Sequence, residues 1–160
     1  FQTVIAVFDS LDPKSIYNVH AYGSYANLCR DTGRLALAET LYTQAEAIMD
    51  STDGGMRQTL GAYMVDHGYL RSLQNRHADA EAMIATGFRF WRGESDDKDR
   101  DLGTMYLMWA AARARAVEPD SAIEKLRQAG SCGISEEDAA PYRELASLRL
   151  RSDYPLKRTT

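Results

Sequence analysis

Residues that could carry out chemistry are sparse in this chain of 160 residues, and the most suggestive pair is Asp66 with His67. A carboxylate next to an imidazole can form a general acid–base dyad. Adjacent residues of a helix point in different directions, however, and the sequence places no serine or cysteine nucleophile beside this pair. The sequence therefore favours a structural or groove-lining role for His67, and we expect the chain not to be an enzyme.

The two cysteines, Cys29 and Cys132, could be nucleophiles or could pair in a disulfide. A reactive thiolate needs exposure and nearby positive charge, and no base stands beside either cysteine in the sequence. The cysteines are 103 residues apart in different contexts, so two free thiols are favoured over one long-range disulfide. We expect Cys29 to be packed in the core, and Cys132 to lie on a loop where it could be exposed.

Patterns typical of metal, phosphate or nucleic-acid binding are absent from the sequence. The acidic run 96–101 lacks the turn glycine and the final glutamate of a calcium loop, and its Lys98 and Arg100 would oppose a cation. No cysteines or histidines have zinc-ligand spacing. The chain has 19 Lys and Arg against 23 Asp and Glu, with no basic stripe. We therefore expect no cofactor, no metal and no nucleic acid.

Membrane association is not predicted either. No apolar run reaches the ~18–20 residues that are needed to cross a bilayer. The opening residues have neither the basic region nor the cleavage site of a signal peptide. Together with the free thiols, these features point to a cytoplasmic location.

The elements that position these side chains form an internal repeat with a period of 42 residues. A small residue in the middle of a helix lets a second helix approach closely, and a bulky neighbour fills the gap between pairs. The pattern therefore predicts antiparallel helix pairs that bury their apolar faces by stacking. The columns of small residues are Ala26, Gly68 and Ala110, then Ala38, Ala80 and Ala122, then Ala45, Gly87 and Ala129; the bulky columns are Tyr22, Met64 and Tyr106, then Tyr42, Ile84 and Leu126.

Local signals predict where the helices begin and end. Asp12 and Pro13 are typical of a helix start, Gly33 and Gly130 of helix ends, and Ser135 with Asp138 of a capping box that opens a last helix. The predicted helices span about 13–31, 34–50, 56–74, 77–92, 99–117, 120–129 and 136–150, with loops over 51–55 and 93–99.

The columns resemble the tetratricopeptide repeat family. The first repeat matches the family pattern best, whereas the second has Asn75 and the third has Val117 to Pro119 where the family has a glycine turn. The period is similar to the longer subtype of kinesin light chains and bacterial regulatory proteins rather than to the 34-residue form. The resemblance covers about residues 19–130. It implies an all-α superhelical solenoid of about three helix pairs, with a right-handed turn and a terminal cap.

We expect one repeat domain over residues 1–160, belonging to a longer protein. An apolar face at the start of the chain would come from a preceding repeat and offers a route to self-association. Its residues are Phe1, Val4, Ile5 and Phe8. The expected parts are the end of a preceding helix at 1–12, repeats at about 19–60, 61–102 and 103–130, and a C-terminal cap at 135–160.

In the family the first helices of the pairs line a concave groove, so the resemblance implies groove residues here. Asn27 matches a residue type that bonds the backbone of an extended peptide, the arginines could pair with carboxylates, and Tyr69 could be an aromatic anchor. The residues that we expect to bind a peptide are His20, Asn27, Arg30, Tyr69, Ser72, Leu107 and Arg115. The other positions carried over are Gly23, Asp31, Ala62, Val65, Leu73, Thr104, Ala111 and Ala114.

Two functions remain open from the sequence. The first is a protein–protein interaction scaffold that binds a peptide or protein partner in the groove. The second is a structural or self-associating segment attached to a catalytic or regulatory domain absent from this chain. The groove set lacks the lysines and the second asparagine of the family's carboxylate clamp, so a chaperone C-terminal tail is not the predicted ligand.

Overall fold

The structure of the protein is a computed structural model that describes residues 15–50, 57–91 and 99–157. These residues form helices and no strand, so the predicted all-α class is confirmed for this part of the chain. The helices are α1 (Ile16–Asp31), α2 (Leu35–Asp50), α3 (Arg57–Leu73), α4 (His77–Trp91), α5 (Arg100–Arg115), α6 (Pro119–Ser131) and a 3₁₀ helix (Arg143–Leu150). The expectations for residues 1–14, including the apolar face and the Asp12 cap, fall outside this part, as do those for 51–56 and 92–98.

Consecutive helices form three antiparallel pairs, α1 with α2, α3 with α4, and α5 with α6. The glycines of α3 allow α4 to approach closely. A β-carbon at Gly61 would lie 2.6 Å from the carbonyl oxygen of Gly87, and one at Gly68 would lie 2.6 Å from Cγ1 of Ile84. The pairs join because α3 also packs on α2 and on α5. The three first helices α1, α3 and α5 therefore lie side by side, and we call their outer surface the first-helix face.

The columns of small residues lie at helix contacts inside the fold. A larger side chain at these positions would push two helices apart, which explains why the repeat keeps them small. Burial of the six residues singled out by the repeat is confirmed: they are Ala26, Ala38, Gly68, Ala80, Ala110 and Ala122.

Two separate apolar clusters make up the core. The first lies within α1 and α2 and takes in Leu70 from α3. The second runs from α3 to the end of the described chain and includes Leu145 and Leu156. The boundary between the clusters runs along α3, since Leu70 belongs to the first cluster and Val65 and Tyr69 belong to the second. Within the same three ranges, no helix is long and apolar enough to span a bilayer.

One predicted helix end was wrong, and one predicted start lies outside the described residues. Helix α1 begins at Ile16, where the Ser15 hydroxyl accepts a hydrogen bond from the Tyr17 amide at 3.3 Å, whereas the start was predicted near residue 13. Gly130 does not end the last pair, since α6 continues to Ser131.

The predicted helix over 136–150 was also wrong. The Asp138 carboxylate does accept a hydrogen bond from the Ser135 amide, at 2.8 Å. Turns follow instead of an α-helix, because Pro141 has no amide hydrogen and its ring clashes with the preceding turn. Only the short 3₁₀ helix Arg143–Leu150 forms beyond it.

The turns between the helices of each pair share one strained position. Gly33, Asn75 and Val117 are 42 residues apart and have φ angles of 77°, 62° and 61°. This left-handed region suits glycine and is tolerated by asparagine, but it is unfavourable for a β-branched residue. Val117 is also 84% exposed, so no packing offsets its strain.

We expect Val117→Gly to stabilise the protein by about 1 kcal/mol, because the relief of ~1–3 kcal/mol of strain exceeds the entropy cost of glycine. Urea unfolding would measure the change. The matched control is Asn75→Gly, which should not stabilise the protein, because asparagine already tolerates this conformation and its Oδ1 atom accepts a hydrogen bond from Arg115. A Val117→Gly variant that is less stable than the parent would contradict the strained turn.

Candidate functional site

The first-helix face carries two neighbouring cavities, and Thr104 lines both. The first, which we call the main cavity, has a volume of about 780 Å³ and lies between the first helices and residues 134–144. The second, the side cavity, has a volume of about 400 Å³ and lies between α1, α3 and α5. Both volumes fall in the range of about 300–1,000 Å³ that is typical of ligand sites.

The structure brings most of the predicted groove residues to these cavities. His20 and Ser72 line neither: His20 is exposed with its Nδ1 atom 3.5 Å from the Tyr63 hydroxyl, and Ser72 is fully buried and donates to the Tyr69 carbonyl oxygen at 2.7 Å. Val65 and Ala111 are fully buried as well. The predicted residues on the main cavity are Arg30, Asp31, Tyr69, Leu73, Thr104, Leu107 and Arg115, and those on the side cavity are Asn27, Ala62 and Thr104.

Arg30 is the centre of a polar network beneath the two cavities. Its Nη1 atom donates to Asp66 Oδ1 at 2.8 Å and to the Tyr42 hydroxyl at 3.2 Å, and its Nε atom donates to Asp31 at 2.9 Å. The Tyr42 hydroxyl in turn donates to Asn27 Oδ1. Arg30 therefore joins α1, α2 and α3 with partners from the chain itself, and only 9% of the residue is exposed.

Burial controls the ionisation of this network. It raises the pKa of Asp66 above its usual range, while the Arg30 charge and hydrogen bond act in the opposite direction. Burial likewise raises the pKa of the Tyr42 hydroxyl, and the Asp66 carboxylate adds to that shift. Tyr42 therefore stays neutral and remains a hydrogen-bond donor to Asn27.

Tyr69 is partnered by the C-terminal segment, residues 134–144, which forms one wall of the main cavity. The Tyr69 hydroxyl donates to Glu144 Oε1 at 2.7 Å, and the Tyr142 ring meets the Tyr69 ring edge-on with the centroids 5.4 Å apart. Ala139 and Leu145 are fully buried and fix the segment in place. Sequence reasoning treated this region as an end cap and missed Tyr142 and Glu144, because the repeat does not extend to them.

Arg115 fixes helix α5 to the C-terminal end of helix α3. Its Nε atom donates to the Ser72 carbonyl oxygen at 2.9 Å, and its Nη2 atom donates to Asn75 Oδ1 at 3.2 Å. These acceptors lie at the C-terminal end of α3, where carbonyl groups lack helical partners. Arg115 thus holds α5 against α3 at the edge of the main cavity.

The side cavity contains residues that the repeat frame did not single out. A β-carbon at Gly23 would lie 2.0 Å from Cε1 of Tyr63, so only glycine at this position leaves room for the Tyr63 ring. Gly23 was predicted to face the groove, but it lies beneath Tyr63 instead. Trp91 and Asp101 also line this cavity. The sequence signal for Tyr63 was Gly23 in the preceding repeat, because the absence of a side chain at Gly23 leaves space for the Tyr63 ring.

The side chains of the candidate dyad, Asp66 and His67, point in different directions from helix α3. His67 is 1% exposed, its Nδ1 atom is 2.9 Å from Glu46 Oε1, and its ring stacks on Tyr42 at 5.4 Å. Asp66 bonds Arg30 on another side of α3. The two side chains therefore serve different contacts between the first and second helix pairs.

Both cysteines are free thiols and both are buried, so the predicted absence of a disulfide between them is confirmed. The expectation that Cys132 could be exposed was wrong. A β-carbon at Gly103 would lie 2.8 Å from Cβ of Cys132, which shows how closely α5 covers this thiol. Across the ranges 15–50, 57–91 and 99–157, no three His, Cys, Asp or Glu side chains are grouped to hold a metal ion.

No protein-family model, curated protein or solved structure matches the chain. The resemblance to tetratricopeptide repeats therefore depends on the 42-residue columns and stays a prediction.

The packing predicts how leucine would be tolerated along the repeat. Ala38→Leu and Ala80→Leu should each cost about 1–3 kcal/mol of unfolding free energy, because both alanines are buried against another helix. Ala62→Leu should change it by less than about 0.5 kcal/mol, because Ala62 borders the side cavity. Denaturant unfolding of the three variants is the measurement. Equal damage at Ala62 would contradict this placement of the helix faces.

Removal of the Arg30 charge should be strongly destabilising. We expect Arg30→Met to cost about 3 kcal/mol or more in urea unfolding, because it leaves the largely buried Asp66 carboxylate unpaired. The double variant with Asp66→Leu should recover part of that loss, since it removes the stranded charge. A loss below about 1 kcal/mol for Arg30→Met would place the pair among weak surface ion pairs.

Proposed function

We propose that this chain is a tetratricopeptide-like interaction scaffold whose first-helix face is a concave groove that binds an extended peptide or a segment of a partner protein. The observation that carries the proposal is the pair of adjoining cavities, which share Thr104 and together follow the first helices from α1 to α5. A continuous trough across successive repeats suits a ligand that is long in one direction.

The seating of the C-terminal segment supports the same proposal. On this face the Tyr142 ring packs edge-on against the Tyr69 ring, and the Glu144 carboxylate accepts a hydrogen bond from the Tyr69 hydroxyl. The surface therefore offers the kinds of contact by which an aromatic anchor and a polar group of another polypeptide could be held. The ligand would lie beside this segment, over the side cavity and the open part of the main cavity.

Binding rather than catalysis is the activity that the contacts favour. Asp66 and His67 are each engaged with a different neighbour, and the two thiols are covered. We accordingly propose that the chain has no catalytic centre of its own and acts by holding a partner.

Site-specific photocrosslinking tests this function. We expect the full protein carrying Ala62→p-benzoylphenylalanine to crosslink a discrete protein partner in cells of its source organism, because Ala62 borders the side cavity. The matched control is Ala82→p-benzoylphenylalanine, at an exposed alanine of α4 that lines neither cavity. The proposal predicts a product from position 62 that is absent from position 82. The same products at both positions, or none at position 62, would contradict it.

A further inference from the structure

We infer that the side cavity takes a cationic side chain, a lysine or an arginine, of the bound peptide; this inference depends on the proposed function. The cavity is lined by two carboxylates, Asp66 from α3 and Asp101 from α5, and no lysine or arginine of the described residues lines it. The main cavity, in contrast, is lined by three arginines and three carboxylates, so its formal charges balance. The charge of the side cavity thus sets it apart from the rest of the first-helix face.

The negative charge at the side cavity persists after the neighbouring ion pairs are counted. Arg30 contacts Asp66 from beneath and also pairs with Asp31, which lines the main cavity, so the charge of the side cavity depends on Asp101. Asp101 is exposed and forms no ion pair within the part of the chain that the structure describes. A ligand cation would therefore meet the Asp101 carboxylate, which no cation in the three described ranges already neutralises.

The walls of the cavity suit the rest of a long basic side chain. Tyr63 and Trp91 are half-buried aromatic residues, and Met105 and Met108 add apolar surface. The methylene groups of a lysine or arginine pack on such walls while the charged end stays near polar groups. A cation near an aromatic face also gains attraction from the ring.

Asn27 supplies a contact for the peptide backbone next to this cavity. Its Oδ1 atom accepts from the Tyr42 hydroxyl, which fixes the orientation of the amide. The Nδ2 group is then the one left to donate to a carbonyl oxygen of the ligand. A backbone contact at Asn27 and a cation contact at Asp101 would hold the peptide at two points of the same cavity.

Selection from a random peptide library displayed on phage tests the inference on the purified chain. We expect peptides selected on the parent protein to be enriched in lysine or arginine at one position. Asp101→Asn should abolish or sharply reduce that enrichment. The control is Asp79→Asn, because Asp79 is likewise an exposed carboxylate in the first turn of a helix but lines neither cavity.

Calorimetry with a selected peptide would give the size of the effect. Norleucine in place of the basic residue should weaken binding to the parent about tenfold, the effect of roughly one charge-assisted hydrogen bond. The difference between the two peptides should be smaller with Asp101→Asn and unchanged with Asp79→Asn.

The possible failures are distinguishable. Two results would overturn the cation subsite and leave the proposed function standing. One is that the selected peptides bind in the groove without any preference for lysine or arginine, and the other is that both variants lose this preference equally. A library that yields no peptide for the parent protein would count against the groove function itself, and the subsite would fall with it.

Discussion

The buried guanidinium of Arg30 is the contact on which the arrangement of this protein depends most. It reaches from α1 to Tyr42 on α2 and to Asp66 on α3, and it lies 5.5 Å from the centroid of the Tyr69 ring. The first apolar cluster reaches α3 through Leu70, with Leu60 and Tyr63 packed beside it, and the Arg30 network adds polar contacts across the same junction. Both cavities border residues that Arg30 touches, which couples the shape of the two cavities to this network.

The junction between the second and third pairs is built differently. There the Phe88 ring packs on the rings of Tyr106 and Trp109, with centroids 4.7 and 4.8 Å away. Trp109 donates to Glu81 at 2.9 Å, and the Lys125 ammonium lies 3.9 Å from a Trp109 ring centroid. Aromatic packing of this kind tolerates small shifts, whereas a buried hydrogen-bonded network holds one geometry because every unsatisfied partner is costly. The Arg30 network therefore holds the first junction in one geometry next to Asn27.

Much of this fold could be predicted from the sequence because the repeat constrains it. Alanine and glycine at a fixed offset mark helix contacts, and those positions are buried in the structure. The same reasoning failed where the repeat stops: Pro141 breaks the expected last helix, and Tyr142 then lines the main cavity. A column of the repeat shows which face of a helix a residue occupies, but it does not show which residue it contacts.

The predicted site shows the same limit. Arg30 was interpreted as a group for a ligand carboxylate, yet its carboxylate contacts in the structure are Asp31 and Asp66. Tyr63 entered the side cavity because Gly23 leaves room for it, a relation between two repeats that no single column contains. The chemistry of the two cavities therefore depends on pairings across repeats, which become visible only in three dimensions.

The central claim is that a polypeptide ligand binds across the first-helix face, and NMR mapping tests it most directly. A peptide selected on the protein would be titrated into isotope-labelled chain, and the amide shifts followed residue by residue. We expect the largest changes at Asn27, Ala62 and Thr104, which line the side cavity. Changes confined to exposed positions of the second helices, such as Thr43, Ala82 and Glu124, would contradict it.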